Sequence, residues 1–401
     1  MARGKREMSM RTIGTQAIGI RTPIIKEGDD LLGIVVDSVL EYNAESGSEI
    51  NDNDIIGITE AVVARAQGNY ATIGQIAKDV RARFPEGPVG VVFPILSRNR
   101  FSLLLKGIAA GAEKLFVQLS YPMDEVGNHI ISAERLYAAG VNPFTDVFSE
   151  DGFRARFGDL KHEYTGIDYL DLYRNIGRGA EIILANDPCE ILRFTKNVIA
   201  ADIHTRAQTK QRLISCGAGP VIGLDDILNK SVEGSGYNEK YGLLGSNKAT
   251  EDRVKLFPHS CEEFVAAVRK LMFEKTGKRV EVLVYGDGAY KDPVGKIWEL
   301  ADPVVSPAFT EGLAGKPNEL KLKYLADNEF ADIRGEEARE AVIKRIQNKQ
   351  KNLMGKEETE GTTPRNLTDL IGSLCDLVSG SGDKGTPVIL IKGYFDNYAS
   401  N

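Results

Sequence analysis

Short apolar runs alternate with amphipathic stretches near both ends of this chain, and that alternation restricts it to mixed α/β layers with helices packed on sheets. Residues 12–70 pass from TIGTQAIGIRTPII through the helical pattern DDLLGIVVDSVLEY to the strand-like DIIGITEAVV. Leu32, Val35, Val36 and Val39 keep helical spacing, and Asp29 or Asp30 stands after Gly28 where an N-cap belongs. From 71 to 121 the order is helix IGQIAKDVRARF, apolar run VGVVFPIL, helix FSLLLKGIAAGA and strand KLFVQLSYP. The pattern returns at 256 with helix EEFVAAVRKLMFEK, closed by Gly277 as a left-handed cap, and strand RVEVLVY. Helices EEAREAVIKRIQNKQKNL and LTDLIGSLCDLV, the loop SGSGDKGT and the strand PVILIKGYF complete it.

Residues 136–255 are less regular, rich in Asp, Arg and Gly around a single clear apolar run, AEIILA. Loops that carry function tend to lie in such stretches. With 401 residues, enough for about two to three domains, the expected division is an N-terminal part over 12–135, an atypical middle segment or insertion over 136–255, and a C-terminal part over 256–401. The acidic run at 355–361 reads as a solvated loop.

Charge and residue counts remove several function classes. Fifty Lys and Arg against 57 Asp and Glu leave a net charge of −7, so no global positive field is available for a nucleic-acid backbone. No run of 18 apolar residues occurs, and MARGKREMSM lacks the apolar core of a secretory signal; a soluble cytoplasmic protein without a membrane partner is expected. The cysteines at 189, 216, 261 and 375 form no Cys-x-x-Cys pair and read as buried reduced thiols. The histidines at 129, 162, 204 and 259 never adopt zinc-hydrolase spacing, and no G-x-S-x-G elbow is present.

Three strings remain that place acids, amides or glycines at strand ends. Ser379-Gly380-Ser381-Gly382-Asp383-Lys384-Gly385-Thr386 matches G-x-G-x-x-G, but in the order helix, loop, strand, the reverse of a dinucleotide fingerprint. It is either an exposed turn or a backbone cradle for an anion, with Lys384 adding charge and Asp383 or a hydroxyl facing a metal. The strand VEVLVY ends in Gly-Asp-Gly, where Asp287 is either part of a β-turn or a ligand for a magnesium–phosphate complex. Asp124 and Glu125, with Asn128, follow the strand KLFVQLSYP, and Asp124 is either a helix N-cap or a second cation ligand. Ser97-Arg-Asn-Arg100, Arg206, Lys210 and Arg212 are either anion ligands or solvated surface.

Taken together the strings resemble the γ-glutamyl ligase family of deazaflavin coenzyme F420 biosynthesis. Gly19-Ile-Arg-Thr-Pro-Ile-Ile-Lys-Glu-Gly-Asp-Asp30 is similar to that family's G-L-P-x-I-x-x-G-D-D opening, and the stretch from Asn53 to Gly68 to its G-D-V-L-V-V-x-x-x-V-x-S-K-A-E-G. Thr276-Gly-Lys-Arg-Val with its strand and Asp287 resembles the metal-binding strand end, and Gly380 to Gly393 resembles G-x-G-x-D-G-x-P-V-V-V-R-G. The resemblance implies a GTP-dependent (or ATP-dependent) ligase that uses Mg²⁺ or Mn²⁺, works as a homodimer, and joins L-glutamate to a carboxylate acceptor through an acyl phosphate. Carried across, it puts Arg21, Thr22, Pro23, Ile24, Glu60 and Ala61 beside the nucleotide and Arg65 where the family has Lys. Asp124, with Asn128, and Asp287 become metal carboxylates, and Ser379 to Thr386 wrap the phosphates. Asp287, Lys384 and Arg65 would carry the chemistry. The acid of the family's final loop aligns with Ser381, with Asp383 as its substitute. The alternatives are another phosphotransferase and, from another class, a noncatalytic sensor of a nucleotide or phosphometabolite.

Overall fold

A computed structural model describes residues 12–98, 100–158, 160–162, 166–286, 290–291, 298–299, 306–353, 355–359, 366–380 and 383–400. Elements are numbered in chain order. The chain forms two compact units. The first comprises residues 1–63, 260–290 and 298–401, and the second residues 64–259 and 291–297.

The first unit is built on a five-stranded sheet of β1 (Gln16–Ile20), β16 (Val388–Lys392), β2 (Ile55–Thr59), β12 (Glu281–Tyr285) and β15 (Ala308–Phe309), in that spatial order. β2 and β12 run parallel, while β16 lies antiparallel between β1 and β2 and β15 antiparallel outside β12. All five residues of β12 and of β16 are buried, which explains why their sequences are apolar without alternation apart from Glu281 and Lys392 at their ends. On one face α12 (Leu367–Val378) presses so closely on β2 that a side chain on Gly57 would strike the Cys375 sulfur. Ile371, Cys375, Leu283 and Ile389 make the shared core there.

The helices start and stop where the sequence indicates. α1 (Leu31–Ser46) is capped by the Asp30 carboxylate, which accepts from Gly33 N, and ends at Gly47 with φ 66°. α9 (Cys261–Thr276) ends at Gly277 with φ 69°, a conformation that costs a β-carbon-bearing residue but not glycine. The unit also holds α10 (Leu322–Asp327) and α11 (Gly335–Gln347). A short ribbon pairs β13 (Tyr290–Lys291) with β14 (Trp298–Glu299). At the end of the main sheet where β16 finishes, Lys392 and Asp54 form a buried ion pair at 3.1 Å, and the ammonium also donates to the Glu49 carbonyl.

The chain leaves the first unit within α2 (Glu60–Ala66), builds the second, and returns at α9. In the second unit β3 (Tyr70–Thr72) pairs with β11 (Arg253–Lys255), and β11 with β10 (Asn247–Lys248). Its main sheet has six strands in the order β6 (Phe148–Ser149), β7 (Glu181–Leu184), β5 (Leu115–Leu119), β4 (Val89–Val92), β8 (Asn197–Ala200), β9 (Val221–Gly223). All neighbours are parallel except β6 with β7. One face carries α3 (Ile73–Arg83), α4 (Phe101–Gly111), α6 (Glu150–Phe157) and α7 (Tyr169–Ile176), and α5 (Ala133–Ala138) adds Leu136 to the same core. The other face carries a 3₁₀ turn (Pro188–Arg193) and α8 (Arg206–Ser215). α3 opens on a capping box between Thr72 and Gln75. It crosses α4 closely enough that a β-carbon on Gly107 would lie 2.6 Å from Ile76.

Two expectations change. The boundaries at 135 and 255 do not mark the units: β4 and β5, from the expected N-terminal part, pair in register with β8 and β7 of the expected middle segment. One parallel sheet therefore spans 89–223, and the inserted unit begins near residue 64. The cysteines also differ from the reduced-thiol expectation. Cys189, on the 3₁₀ turn, and Cys216, just past α8, form a disulfide; Cys261 and Cys375 are buried thiols outside it. A separation of 27 residues carries no spacing signal, and only packing both segments on one sheet face brings the sulfurs together.

Candidate functional site

In the first unit, β1, β2 and β12 point the same way and β16 and β15 point back, so three carboxyl ends and two amino ends share an edge. Ile20 pairs with Val388, Val388 with Ile58, and Ile58 with Val284. Three of the strings singled out in the sequence leave this edge: residues 21–24 after β1, Glu60 and Ala61 after β2, and the glycine loop before β16.

Hydrogen bonds tie these segments to one another. The Arg21 Nε donates to the Lys384 carbonyl at 3.3 Å, Thr22 N to the Gly385 carbonyl at 3.3 Å, and Thr59 N to the Pro387 carbonyl at 3.1 Å. The loop closes on itself where Gly380 N donates to Thr386 Oγ1 at 2.9 Å. Thr386 is buried and seated over Gly19, where a β-carbon would stand 3.1 Å from it. Gly380 has no room for a side chain against Lys384, and Gly385 sits at φ 64°. The glycines are therefore demanded by close approach and by backbone geometry. Ser379 ends α12, with its hydroxyl on the Asp376 carbonyl at 3.0 Å.

Around this loop Arg21, Pro23, Ile24, Asp383 and Lys384 are exposed, Thr22 and Ala61 are half-buried, and Glu60 is buried in the first turn of α2. Arg65 is exposed on the last turn of the same helix, about 7.5 Å further along its axis. The rim thus offers two cations, Arg21 and Lys384, and a glycine-shaped backbone to an anion. Cys261 is no nucleophile, since burial and the charges of Glu60, Glu263 and Glu262 push its thiol up to about 12. Asp287, Ser381 and Gly382 lie outside the described residues; Asp287 follows β12 by two positions and so belongs in sequence to the same strand end.

Asp124 has a different role from the one expected of it. Its carboxylate is buried and accepts from Leu96 N at 2.7 Å, Asn128 N at 2.8 Å, Val126 N at 3.1 Å and Asn128 Nδ2 at 2.8 Å. Burial raises its pKa, against the lowering by these donors. Both oxygens are engaged in closing the loop after β5 and fastening it to the loop after β4, so a cation there would have to displace four donors. Asn128 is committed to the same closure. Glu125 instead receives the amides of Ile203 and His204 ahead of α8. Arg206, Lys210 and Arg212 pair with Asp225, Asp226 and Asp187 and are not open anion ligands. Among the described residues no group of three His, Cys, Asp or Glu is placed to hold a metal.

Sequence reading missed Thr59, Pro387 and Gly19, which hold the glycine loop. Gly19 and Pro387 stood inside the quoted strings without a role, and the only signal for Thr59 was its position at the end of a strand.

A family model described as F420-0:Gamma-glutamyl ligase matches residues 19–393. The chain belongs to that family. The match runs from the last residues of β1 to just past β16 and includes the whole inserted unit, and it makes the protein a ligase-family enzyme acting on small molecules. No curated protein matches the chain. No helix among the described residues is long and apolar enough to cross a membrane.

Proposed function

We propose that this chain is a nucleotide-dependent amide ligase, preferring GTP, that adds L-glutamate or a similar amino acid to a carboxylate acceptor of the deazaflavin type. The observation that carries this reading is the joining of residues 21–24, 60–61 and 379–387 at one sheet edge by the Arg21, Thr22 and Thr59 hydrogen bonds. A triphosphate would lie along the glycine loop, its charge met by Lys384 and Arg21. Positioning and charge stabilisation are what phosphoryl transfer asks of a protein.

In the proposed sequence an acceptor carboxylate oxygen attacks the γ-phosphorus, and the bond to the β-phosphate oxygen breaks to release the nucleoside diphosphate. The glutamate amine then attacks the acyl carbon; a C–N bond forms, the C–O bond to phosphate breaks, and the amine proton leaves to solvent. Asp383 and Asp287 are the carboxylates we assign to holding a Mg²⁺ or Mn²⁺ ion, which would supply positive charge against the triphosphate. The residues that fit such an ion are the exposed acid Asp383 beside Gly380, which has no room for a side chain, and the cations Arg21 and Lys384. The proposal includes a homodimer with small-molecule substrates only.

Incubation with GTP, Mn²⁺, L-glutamate and a deazaflavin carboxylate tests it. The expected result is an acceptor heavier by one glutamyl unit with equimolar nucleoside diphosphate, reduced about a hundredfold by Lys384→Ala. Nucleotide hydrolysis that needs neither organic substrate, or binding without turnover, overturns the ligase reading.

A further inference from the structure

The segment that brings the chain back to α9 is held by side chains in place of a ladder. Residues 256–260 belong to no helix or strand, yet three successive carbonyls among them each accept from a different side-chain amide. Asn69 Nδ2 donates to the Phe257 carbonyl, Asn238 Nδ2 to that of Pro258 at 2.8 Å, and Gln67 Nε2 to that of His259 at 2.7 Å. Gln67 also takes the other backbone group of His259, whose N–H donates to Oε1 at 3.2 Å. Backbone groups drawn in from water outside regular structure need such partners.

Gln67 and Asn69 belong to the outgoing segment. Gln67 is the first residue past α2, and Asn69, which is buried, also receives Leu256 N on its carbonyl and Tyr237 N on its Oδ1. The rings of Tyr237 and His259 stack 5.1 Å apart at 8°. A β-carbon on Gly236 would lie 2.4 Å from Asn69 Oδ1, so the packing around that amide is closed. Ser260 then turns into α9 at φ 50°, a left-handed conformation that a non-glycine residue keeps only where its surroundings fix it. The outgoing and returning segments therefore make one rigid joint.

α2 has seven residues, too few to hold its shape alone. Its first turn carries Glu60 and Ala61 at the glycine-loop edge, directly after Thr59 and its bond to Pro387, and Glu60 lies close enough to α9 for its charge to act on Cys261. The other end of α2 runs into the joint. We infer that Gln67 is a positioning residue: by gripping both backbone groups of His259 it fixes the far end of α2 and so sets where Glu60 and Ala61 meet the nucleotide. The inference rests on the ligase reading, which puts those two residues beside the nucleotide.

Gln67→Met keeps the length of the side chain and removes both hydrogen bonds. The KM for GTP and the Kd of a non-hydrolysable GTP analogue should rise about tenfold, with kcat and the KM for L-glutamate within about twofold of the unaltered enzyme. The α2 amides should also exchange with deuterium faster. Gln67→Asn, whose amide stops one methylene short, should move the same quantities in the same direction and serves if the methionine variant does not fold. A merely structural role would lower kcat in proportion to the folded enzyme lost and leave both nucleotide constants alone; that result, or exchange in α2 at the unaltered rate, overturns the inference while the ligase reading stands. Failure of the ligase reading shows instead in the unaltered protein, which would form no glutamyl product from GTP and glutamate, and the inference would fall with it.

Discussion

The Cys189–Cys216 disulfide ties the turn before β8 to the end of the helix after it, and its removal has a calculable effect. The closed loop spans 27 residues, and the chain-entropy relation for a loop of that length gives about 3.5 kcal/mol at 25 °C. The inserted unit contains nearly 200 residues, and at the specific unfolding entropy of globular proteins that loss lowers its melting temperature by roughly 8 °C. The assay is differential scanning calorimetry of the oxidised protein, the protein in a phosphine reductant, and the Cys189→Ser/Cys216→Ser variant. The last two should melt together and below the first. A thiol count is the check on the premise: denatured without reductant, the chain should expose Cys261 and Cys375 only. Four titratable thiols, or equal melting temperatures for oxidised and double-serine proteins, would refute the reasoning.

Further outcomes follow from other contacts. Lys392→Met leaves the Asp54 carboxylate buried without its cation and should cost about 3–5 kcal/mol, with much of the loss recovered by adding Asp54→Leu; urea unfolding measures both. Gly380→Ala and Thr386→Val each break the closure of the glycine loop, the first by collision with Lys384 and the second by removing the acceptor for Gly380 N, and should reduce nucleotide turnover about tenfold or more with little change in melting temperature. Burial pushes Asp168 and Asp226 up, but the hydrogen bonds and charge of Arg154 and Lys210, with local amides, outweigh it and leave both pKa values below the ordinary carboxylate. Such depressed groups contribute stability above the unfolded carboxylate pKa, and it is lost as pH falls through their folded values. The melting temperature of the protein should therefore drop below about pH 4, and Asp168→Asn should flatten that drop.

Much of the first unit is legible because its signals are local. Asp30 and Gly277 announce helix ends through one residue each, and β12 and β16 announce burial through runs that are apolar but for Glu281 and Lys392. The second unit is less so, because a parallel sheet is defined by pairings far apart in sequence. β8 is only Asn197-Val-Ile-Ala200 and β9 only Val221-Ile-Gly223, short enough to vanish among the Asp, Arg and Gly residues around them. β8 is a strand by its pairing with β4, more than a hundred residues earlier, and β9 by its pairing with β8, and that is why a seam was expected at 135 in the middle of one sheet.

The same distinction separates the two acids that looked alike. Asp124 and Asp287 each follow an apolar strand, and residue type with position cannot tell a cation ligand from a loop clamp. What decides for Asp124 is the set of donors that converges on it, of which the amide of Leu96 comes from a different strand's loop. A carboxylate's availability is thus a tertiary property: it depends on how many amides and hydroxyls the fold turns toward it. At the edge of the first sheet the segments were found by motif because glycine is required there by backbone contact, and such a requirement is written in the residue itself.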